Sequence, residues 1–131
     1  MIVLDTHALV WWFDGDARLS KAARQAIEHE LLMGGIAISA FSCWEIALLV
    51  TRKRLMLSLE LSIWLAAVEA VNHLRFIPVD NRIAIASVQL PGDLHKDPAD
   101  RIVAATAMQL SVPIVTADRN LRRYPYIATI W

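Results

Sequence analysis

The 131-residue sequence lacks the residues that build a disulfide framework or a strongly charged surface. Its single cysteine, Cys43, excludes an internal disulfide and a cluster of thiolate metal ligands, and it suits a reducing compartment, the cytoplasm. Thirteen basic residues balance thirteen acidic residues, so no overall positive field attracts a polyanion. A nucleic-acid site, if the chain has one, therefore has to be a local feature of the surface.

Long apolar runs and low-complexity segments are missing as well. No predominantly apolar run is long enough to span a bilayer without Gly, Ser or Glu, so we expect no membrane partner. The apolar residues 1–13 include Asp5 and His7 and have no basic start, which argues against a secretory signal. The length suits a single domain over residues 1–131, and the 56% hydrophobic content predicts a thick buried core.

Short uncharged segments typical of buried strands alternate with segments of helical periodicity. This alternation predicts an α/β fold whose central parallel β-sheet is covered by helices on both faces, with sites at the carboxyl ends of the strands. The predicted strands are residues 1–4, 36–39, 75–79, 113–117 and 127–131. The predicted helices run from residue 5 through Trp12, from Ser20 to Gly34, from Ser42 to about Arg54, over 61–71, over 80–90 and over 98–110.

Four carboxylates stand where such a fold would deliver side chains to one edge of the sheet. Asp5 and Asp118 follow predicted strands, whereas Glu45 and Asp100 fall in the first turns of predicted helices. Each also has a structural explanation: the two strand-end aspartates could be helix caps, and Asp100 suits the third helical position. For Glu45 alone, a capping box with Ser42 is the stronger explanation.

The convergence of these acids is what favours a function, because four independent helix caps would not need to meet. Clustered carboxylates without cysteine or grouped histidine form a hard oxygen site that suits Mg²⁺ or Mn²⁺ better than zinc. Such a site could bind a phosphodiester, lower the pKa of a water molecule and stabilise the leaving oxygen. Motifs of P-loop, dinucleotide-binding, serine hydrolase and zinc protease enzymes are absent, and we interpret the four histidines as structural or solvated.

Several ordered segments resemble one known family, the PIN-domain ribonucleases and specifically the VapC-type toxins of type II toxin-antitoxin pairs. These segments are VLDTHALVWW, SCWEIA, LHKDPADRIVAATA, PIVTADRNLRRY and the final IW. The resemblance assigns the catalytic and metal-binding acids to Asp5, Glu45, Asp100 and Asp118. It gives supporting roles to Thr6 and Thr116 and makes Asp97 a helix cap. The sequence departs from many relatives in lacking a glycine before Arg54-Leu55 and in having Ala99 where phenylalanine is common.

The resemblance implies a three-layer α/β/α PIN-like fold and endonucleolytic cleavage of RNA that depends on Mg²⁺, with Mn²⁺ as an alternative. It also implies a homodimer that assembles into a larger complex with a cognate VapB-like antitoxin, whose C-terminal part would occlude the acidic cleft.

An acidic cleft needs nearby cations to hold the flanking phosphates of RNA. The candidates are Arg101, Arg119, Lys96, Arg122 and Arg123, whereas we interpret the run 52–54 as solvated charge. Trp11 and Trp12 could stack on bases or pack in an interface, and we expect at least one of them to be core.

Three other functions are compatible with parts of the sequence. A nuclease acting on DNA or on structured nucleic acid would use the same acids, and a non-catalytic binding module would share the fold. A phosphatase with an aspartate nucleophile would need a second aspartate where His7 stands, which argues against it.

Overall fold

Five short strands form one fully parallel β-sheet in the computed structural model, which describes residues 1–131. The strands are β1 (Ile2–Leu4), β2 (Ile36–Ser39), β3 (Leu74–Ile77), β4 (Ile114–Val115) and β5 (Thr129–Ile130). The helices are α1 (Thr6–Phe13), α2 (Lys21–Leu32), α3 (Ala40–Thr51), α4 (Leu61–Glu69), α5 (Asn81–Val88), α6 (Pro98–Leu110) and α7 (Arg119–Arg123). The predicted α/β class with a central parallel sheet is confirmed. None of the helices combines the length and the apolar character needed to cross a bilayer.

The sheet separates two apolar layers because successive side chains of a strand point to opposite faces. Leu4 and Ile38 belong to the larger cluster, which also contains Trp64 and other side chains from helices α1 to α4. Val3 and Ala37, their neighbours along the strands, pack instead with residues of α6. Both faces of the sheet are therefore covered, which explains why the inner strands β1, β2 and β4 are largely apolar, whereas the edge strand β3 carries the exposed Arg75.

The strand order β3-β2-β1-β4-β5 places a switch point between β1 and β4. The chain moves outward from β1 to β3 and then returns to the other side of β1, so the connections after β1 and β4 diverge. In open parallel sheets this divergence leaves a crevice at the carboxyl ends of the two strands. Leu4 pairs with Val115, which brings the next residues, Asp5 and Thr116, side by side at that crevice.

The predicted boundaries of one functionally important helix were wrong. Helix α3 begins at Ala40, after Ser39 accepts a hydrogen bond from the Phe41 amide at 3.2 Å, and it ends at Thr51 rather than near Arg54. Ser39 is the last residue of β2, so the helix starts directly at the carboxyl edge of the sheet.

Candidate metal centre

Asp5 forms the base of the site, where β1 ends and α1 begins. One carboxylate oxygen accepts a hydrogen bond from the Ala8 amide at 2.8 Å and thereby caps α1, while the other accepts from the Thr116 hydroxyl. Only 7% of the Asp5 surface is exposed. Burial raises its pKa, an effect that the hydrogen bonds from Thr116 and Ala8 partly offset. The capping and functional explanations of Asp5 are thus compatible, because a cap orients the carboxylate.

Asp118 enters the same region from the end of β4. Its amide donates to the Thr116 hydroxyl at 3.0 Å, and its Oδ1 accepts from the Leu121 amide at 3.0 Å, which caps α7. The hydroxyl of Thr116 therefore links the two strand-end aspartates. Oδ2 of Asp118 has no hydrogen-bond partner and is free to bind a ligand.

Helix α6 supplies two aspartates with separate tasks. Asp97 is the N-cap and accepts from the Asp100 amide at 3.1 Å, with Pro98 at the first helical position. The carboxylate of Asp100 therefore takes no part in capping α6. Burial, followed by the negative charges of Asp118 and Asp97 and then of Asp5 and Glu45, raises the pKa of Asp100 to about 7. This repulsion shows that the acids share one electrostatic environment.

Glu45 does not form the capping box that its sequence context favours. It is in the second turn of α3, too far from Ser39, the residue that caps the helix. The Ser42 hydroxyl lies inside the protein and accepts a hydrogen bond from Thr6 at 3.0 Å. No cationic side chain forms an ion pair with Glu45. Its carboxylate instead faces the cleft with the aspartates.

The four predicted acids meet in a single cleft of about 170 Å³ at the switch point of the sheet. The cleft is lined by Asp5, Thr6, His7, Glu45, Asp97, Ala99, Asp100, Val103 and Asp118. None of these residues is a lysine or an arginine.

This arrangement can be compared with known proteins. A family model described as the PIN domain matches residues 2–126. The chain belongs to the PIN-domain family. Ribonuclease VapC22 of Mycobacterium tuberculosis is 37% identical over 132 residues, which cover 99% of this chain and 98% of that protein. This PIN-domain chain is therefore of the VapC type, as the sequence motifs predicted.

Solved structures of lower identity share its fold. The crystal structure of VapBC2 from Rickettsia felis, bound to a DNA fragment from their promoter, is 18% identical with a TM-score of 0.71, covering 98% of this chain and 97% of that chain. DNA-bound VapBC from Salmonella typhimurium is 22% identical with a TM-score of 0.67, covering 98% and 95%. These matches confirm the predicted PIN-like α/β/α architecture.

His95 is a neighbour of the acids in this PIN-domain chain that the sequence interpretation missed. Its Nε2 lies 2.9 Å from Oδ2 of Asp100, and ligand atoms of His95, Asp100 and Asp118 are all within 4.8 Å of one another. The pattern His95-x-Asp97-Pro98-x-Asp100 was the available signal, since it places the imidazole in the loop directly before the capped helix. We had interpreted this histidine as structural or solvated.

Arg101 makes contacts within the protein that its sequence position did not indicate. Its guanidinium donates to the backbone carbonyls of Ser87 and Leu94 at 2.8 Å each, and to Val88 at 3.3 Å and His95 at 3.4 Å. These contacts occupy four of its five N–H groups. Arg101 therefore holds the loop before α6, and its role as a phosphate contact stays a prediction.

The remaining cationic candidates are exposed. Arg119, Arg122 and Arg123 line one cleft of about 410 Å³ together with Thr129, and the side chains of these three arginines form neither an ion pair nor a hydrogen bond. They share one face of α7, opposite the buried Leu121.

The two tryptophans of α1 are half-buried. Trp11 and Trp12 both pack against the larger core cluster, so the expectation that at least one is core is confirmed. Trp11 also contacts the rings of His7 and Trp131, at centroid distances of 5.6 and 5.8 Å.

The donor atoms of the acidic cleft fit a hard divalent cation. Oxygen ligands predominate, burial and their mutual repulsion raise the pKa of Asp100, and no lysine or arginine lines the cleft to neutralise them. A bound divalent cation would offset the repulsion among these carboxylates and would therefore stabilise their clustered arrangement.

Proposed function

We propose that this protein is a metal-dependent endoribonuclease and the toxin of a toxin-antitoxin pair. Its site would hold Mg²⁺, or alternatively Mn²⁺, through Asp5, Glu45, Asp100 and Asp118. The convergence of four unneutralised carboxylates at the switch point of the sheet supports this proposal most directly. The ribonuclease name of the relative with 37% identity favours RNA over DNA as the substrate.

The carboxylates would have different tasks within this site. Asp5 is the most rigid, because Thr116 and the Ala8 amide hold both of its oxygens. Asp100 and Glu45 accept no hydrogen bond from the protein, so their oxygens would be available as ligands; Oδ2 of Asp100 lies 2.9 Å from Nε2 of His95. A bound divalent ion would neutralise the phosphodiester, make a water molecule more acidic and stabilise the leaving oxygen. The protein's contribution is to fix the ligands beforehand, with Thr6 supporting α3 through Ser42.

The basic cleft on α7 would bind phosphates that flank the scissile bond. It begins at Arg119, next to Asp118, so it adjoins the acidic cleft along the chain. Three guanidinium groups without carboxylate partners repel one another, and a phosphate would relieve that repulsion while accepting several hydrogen bonds. Lys96, which is exposed in the loop before α6, is an additional candidate.

Cleavage is tested by incubating the antitoxin-free protein with an RNA pool in the presence of Mg²⁺, Mn²⁺ or a chelator, followed by mapping of the new ends. We expect cleavage with either ion and none with the chelator. A pool of single-stranded DNA tested in parallel distinguishes a ribonuclease from a DNA nuclease, since cutting of DNA alone would indicate a DNA nuclease. RNA binding without cleavage under all conditions would indicate a non-catalytic module.

The acid assignment is tested with Asp100→Asn, for which Asp93→Asn is a matched control. Both changes remove one negative charge, but Asp93 is exposed and lies outside the cleft. Because changes around metal ligands already cost about 10- to 100-fold, we expect the loss of a ligand to lower cleavage by at least about 100-fold. A folded Asp100→Asn protein that cuts RNA at the wild-type rate would contradict the assignment.

The phosphate contacts are tested by the salt dependence of RNA binding, measured with a chelator so that no RNA is cut. Replacing Arg119, Arg122 and Arg123 with glutamine should reduce the slope of log affinity against log salt by about 2, because each single-strand phosphate contact contributes about 0.7. The control replaces residues 52–54 in the same way. These three substitutions change the net charge by the same amount, but the residues follow the C-terminal end of α3. Equal slope changes in both variants would indicate a diffuse charge effect and would overturn the proposed contact.

We further propose a cognate VapB-like antitoxin as the inhibitor and a homodimer as the basic unit. The similar structures include VapBC2 and a toxin-antitoxin complex from Klebsiella pneumoniae. Large apolar side chains such as Trp44 and Met56 are 56% and 91% exposed, which offers surface for a protein partner. Co-expression with a cognate VapB-like antitoxin should yield a stable complex that no longer cuts RNA, and light scattering of the free protein should give the mass of a dimer.

A further inference from the structure

We propose that His95 is a ligand of the same metal centre, contributing Nε2 beside the carboxylates of Asp100 and Asp118. The inference rests on the proposed metal site but goes beyond the acidic quartet, since it adds a nitrogen donor. The sequence alone does not indicate a nitrogen ligand, because its four histidines are scattered along the chain and do not form a cluster.

The distances suit a shared ion. Two adjacent ligands of one octahedral ion, each about 2.1 Å from it, are about 3 Å apart, and opposite ligands are about 4.2 Å apart. Nε2 of His95 lies 2.9 Å from Oδ2 of Asp100, and both lie within 4.8 Å of a ligand oxygen of Asp118. A small inward movement of Asp118 would complete this arrangement.

The alternative, a simple hydrogen bond between His95 and Asp100, does not match the orientation of the ring. Nε2 is buried from solvent and has no hydrogen-bond partner, although the carboxylate oxygen is only 2.9 Å away. In a hydrogen bond the N–H points towards the acceptor oxygen. Two ligands of one metal ion instead both point towards the position of the ion. Leaving a buried polar nitrogen unpaired is unfavourable, and coordination would satisfy it.

The surrounding structure holds this imidazole in place. Arg101 donates to the carbonyls of Leu94 and His95, and Asp97 caps α6 only two residues later. Both ends of the segment that carries the ring are therefore fixed before an ion binds. Arg101 would therefore act as a positioning residue, because its guanidinium binds the backbone carbonyls of the loop that carries His95.

A nitrogen donor would alter the metal preference of the site. Carboxylates and water suit Mg²⁺, Ca²⁺ and Mn²⁺, whereas imidazole favours the transition metals. We therefore expect His95→Gln to weaken Mn²⁺ binding by about 10-fold or more while changing Mg²⁺ binding less, as measured by calorimetry on the metal-free protein. Equal weakening for both ions, or none for Mn²⁺, would overturn the inference.

Pulsed electron paramagnetic resonance of the Mn²⁺-loaded protein detects the ligand directly. The wild type should show coupling to a ¹⁴N nucleus that changes to ¹⁵N when the histidines are labelled, and His95→Gln should lose it. His7→Gln is the matched control, because His7 also lines the acidic cleft but is outside the group of close ligand atoms. Circular dichroism of both variants establishes that they are folded.

The outcomes separate this inference from the proposed function. Bound Mn²⁺ without histidine coupling, in a protein that still cuts RNA, would overturn the role of His95 alone. Coupling that is lost in His7→Gln but kept in His95→Gln would assign the ligand to His7 and would also overturn it. Failure of the wild type to bind either ion would overturn both proposals.

Discussion

Asp14, at the end of α1, and Asp100, in the cleft, show two different uses of a carboxylate. Asp14 accepts hydrogen bonds from the amide and hydroxyl of Ser58, at 3.0 and 2.6 Å, and from the indole of Trp64 at 2.8 Å. Asp100 accepts no hydrogen bond, although Nε2 of His95 lies 2.9 Å away, and burial together with the surrounding acids raises its pKa to about 7. The protein therefore surrounds the carboxylate of Asp14 with hydrogen-bond donors and leaves the carboxylate of Asp100, in the cleft, without one.

The comparison extends to the energetic consequences of removing each acid. Structural carboxylates should stabilise the fold, because their loss leaves donors without acceptors. Clustered carboxylates should destabilise the metal-free fold, because folding brings like charges together.

Asp14→Ala should lower the free energy of unfolding by about 3 to 4 kcal/mol, because three hydrogen bonds disappear and the buried Trp64 indole loses its acceptor. Chemical denaturation measures the loss, and cleavage by the folded variant should remain near the wild-type rate. A change below about 1 kcal/mol would show that water replaces the carboxylate and would weaken the contrast.

Adding Mg²⁺ or Mn²⁺ at about 100 times its dissociation constant should stabilise the wild type by about 2.7 kcal/mol, because the ion binds only the folded site. Thermal denaturation at increasing ion concentrations measures this gain. Asp100→Asn should lose most of it, whereas Asp93→Asn should retain it. Equal stabilisation of all three proteins would indicate binding outside the cleft.

Asp100→Asn should stabilise the metal-free protein by about 2 kcal/mol above pH 7. The pKa rises from 3.8 to about 7 on folding, which sets an upper limit of about 4 kcal/mol, and the remaining exposure of the carboxylate reduces it. Since the folded state holds this proton more tightly, the penalty in the wild type is full above pH 7 and disappears as the pH falls towards 4.

Thermal denaturation of both proteins in chelator across this pH range measures the difference. The advantage of the variant should shrink steadily from pH 7 to pH 4. A difference that does not depend on pH would mean that packing, and not charge, distinguishes the two side chains.

Ser39→Ala should cost about 1 kcal/mol, the usual contribution of a serine cap, because Ser39 begins the helix that carries Glu45. Denaturant unfolding measures it, and Ser39→Asp, which restores an acceptor at the cap, is the control. An unchanged stability in Ser39→Ala would place the start of α3 elsewhere and would reopen the capping box at Ser42.

Local patterns predicted six of the seven helices, because helix periodicity and capping depend on neighbouring residues, but they did not indicate α7. Short apolar runs ending at Asp5 and near Asp118 indicated strand ends, and Asp97-Pro98 indicated the start of α6. The start of α3 was missed by two residues because both Ser39 and Ser42 are suitable caps, and only the Thr6 contact engages Ser42 in the interior.

The roles of His95 and Arg101 could not be predicted in the same way. Both follow from how the loop before α6 folds back on the helix pair α5 and α6, and that path depends on contacts between residues distant in sequence. Charge alone favoured Arg101 as a phosphate contact and left His95 without a task. In the structure, Arg101 donates to backbone carbonyls, whereas Nε2 of His95 lies 2.9 Å from Oδ2 of Asp100.

Local periodicity and capping were enough to predict the alternation of strands and helices. The ordered motifs were enough to indicate the family and the candidate carboxylates. Only the tertiary structure decided that the acids share one cleft and repel one another, since the strand order brings the ends of β1 and β4 together. It also decided which other groups face that cleft, because the direction of a side chain depends on packing between elements far apart in the chain.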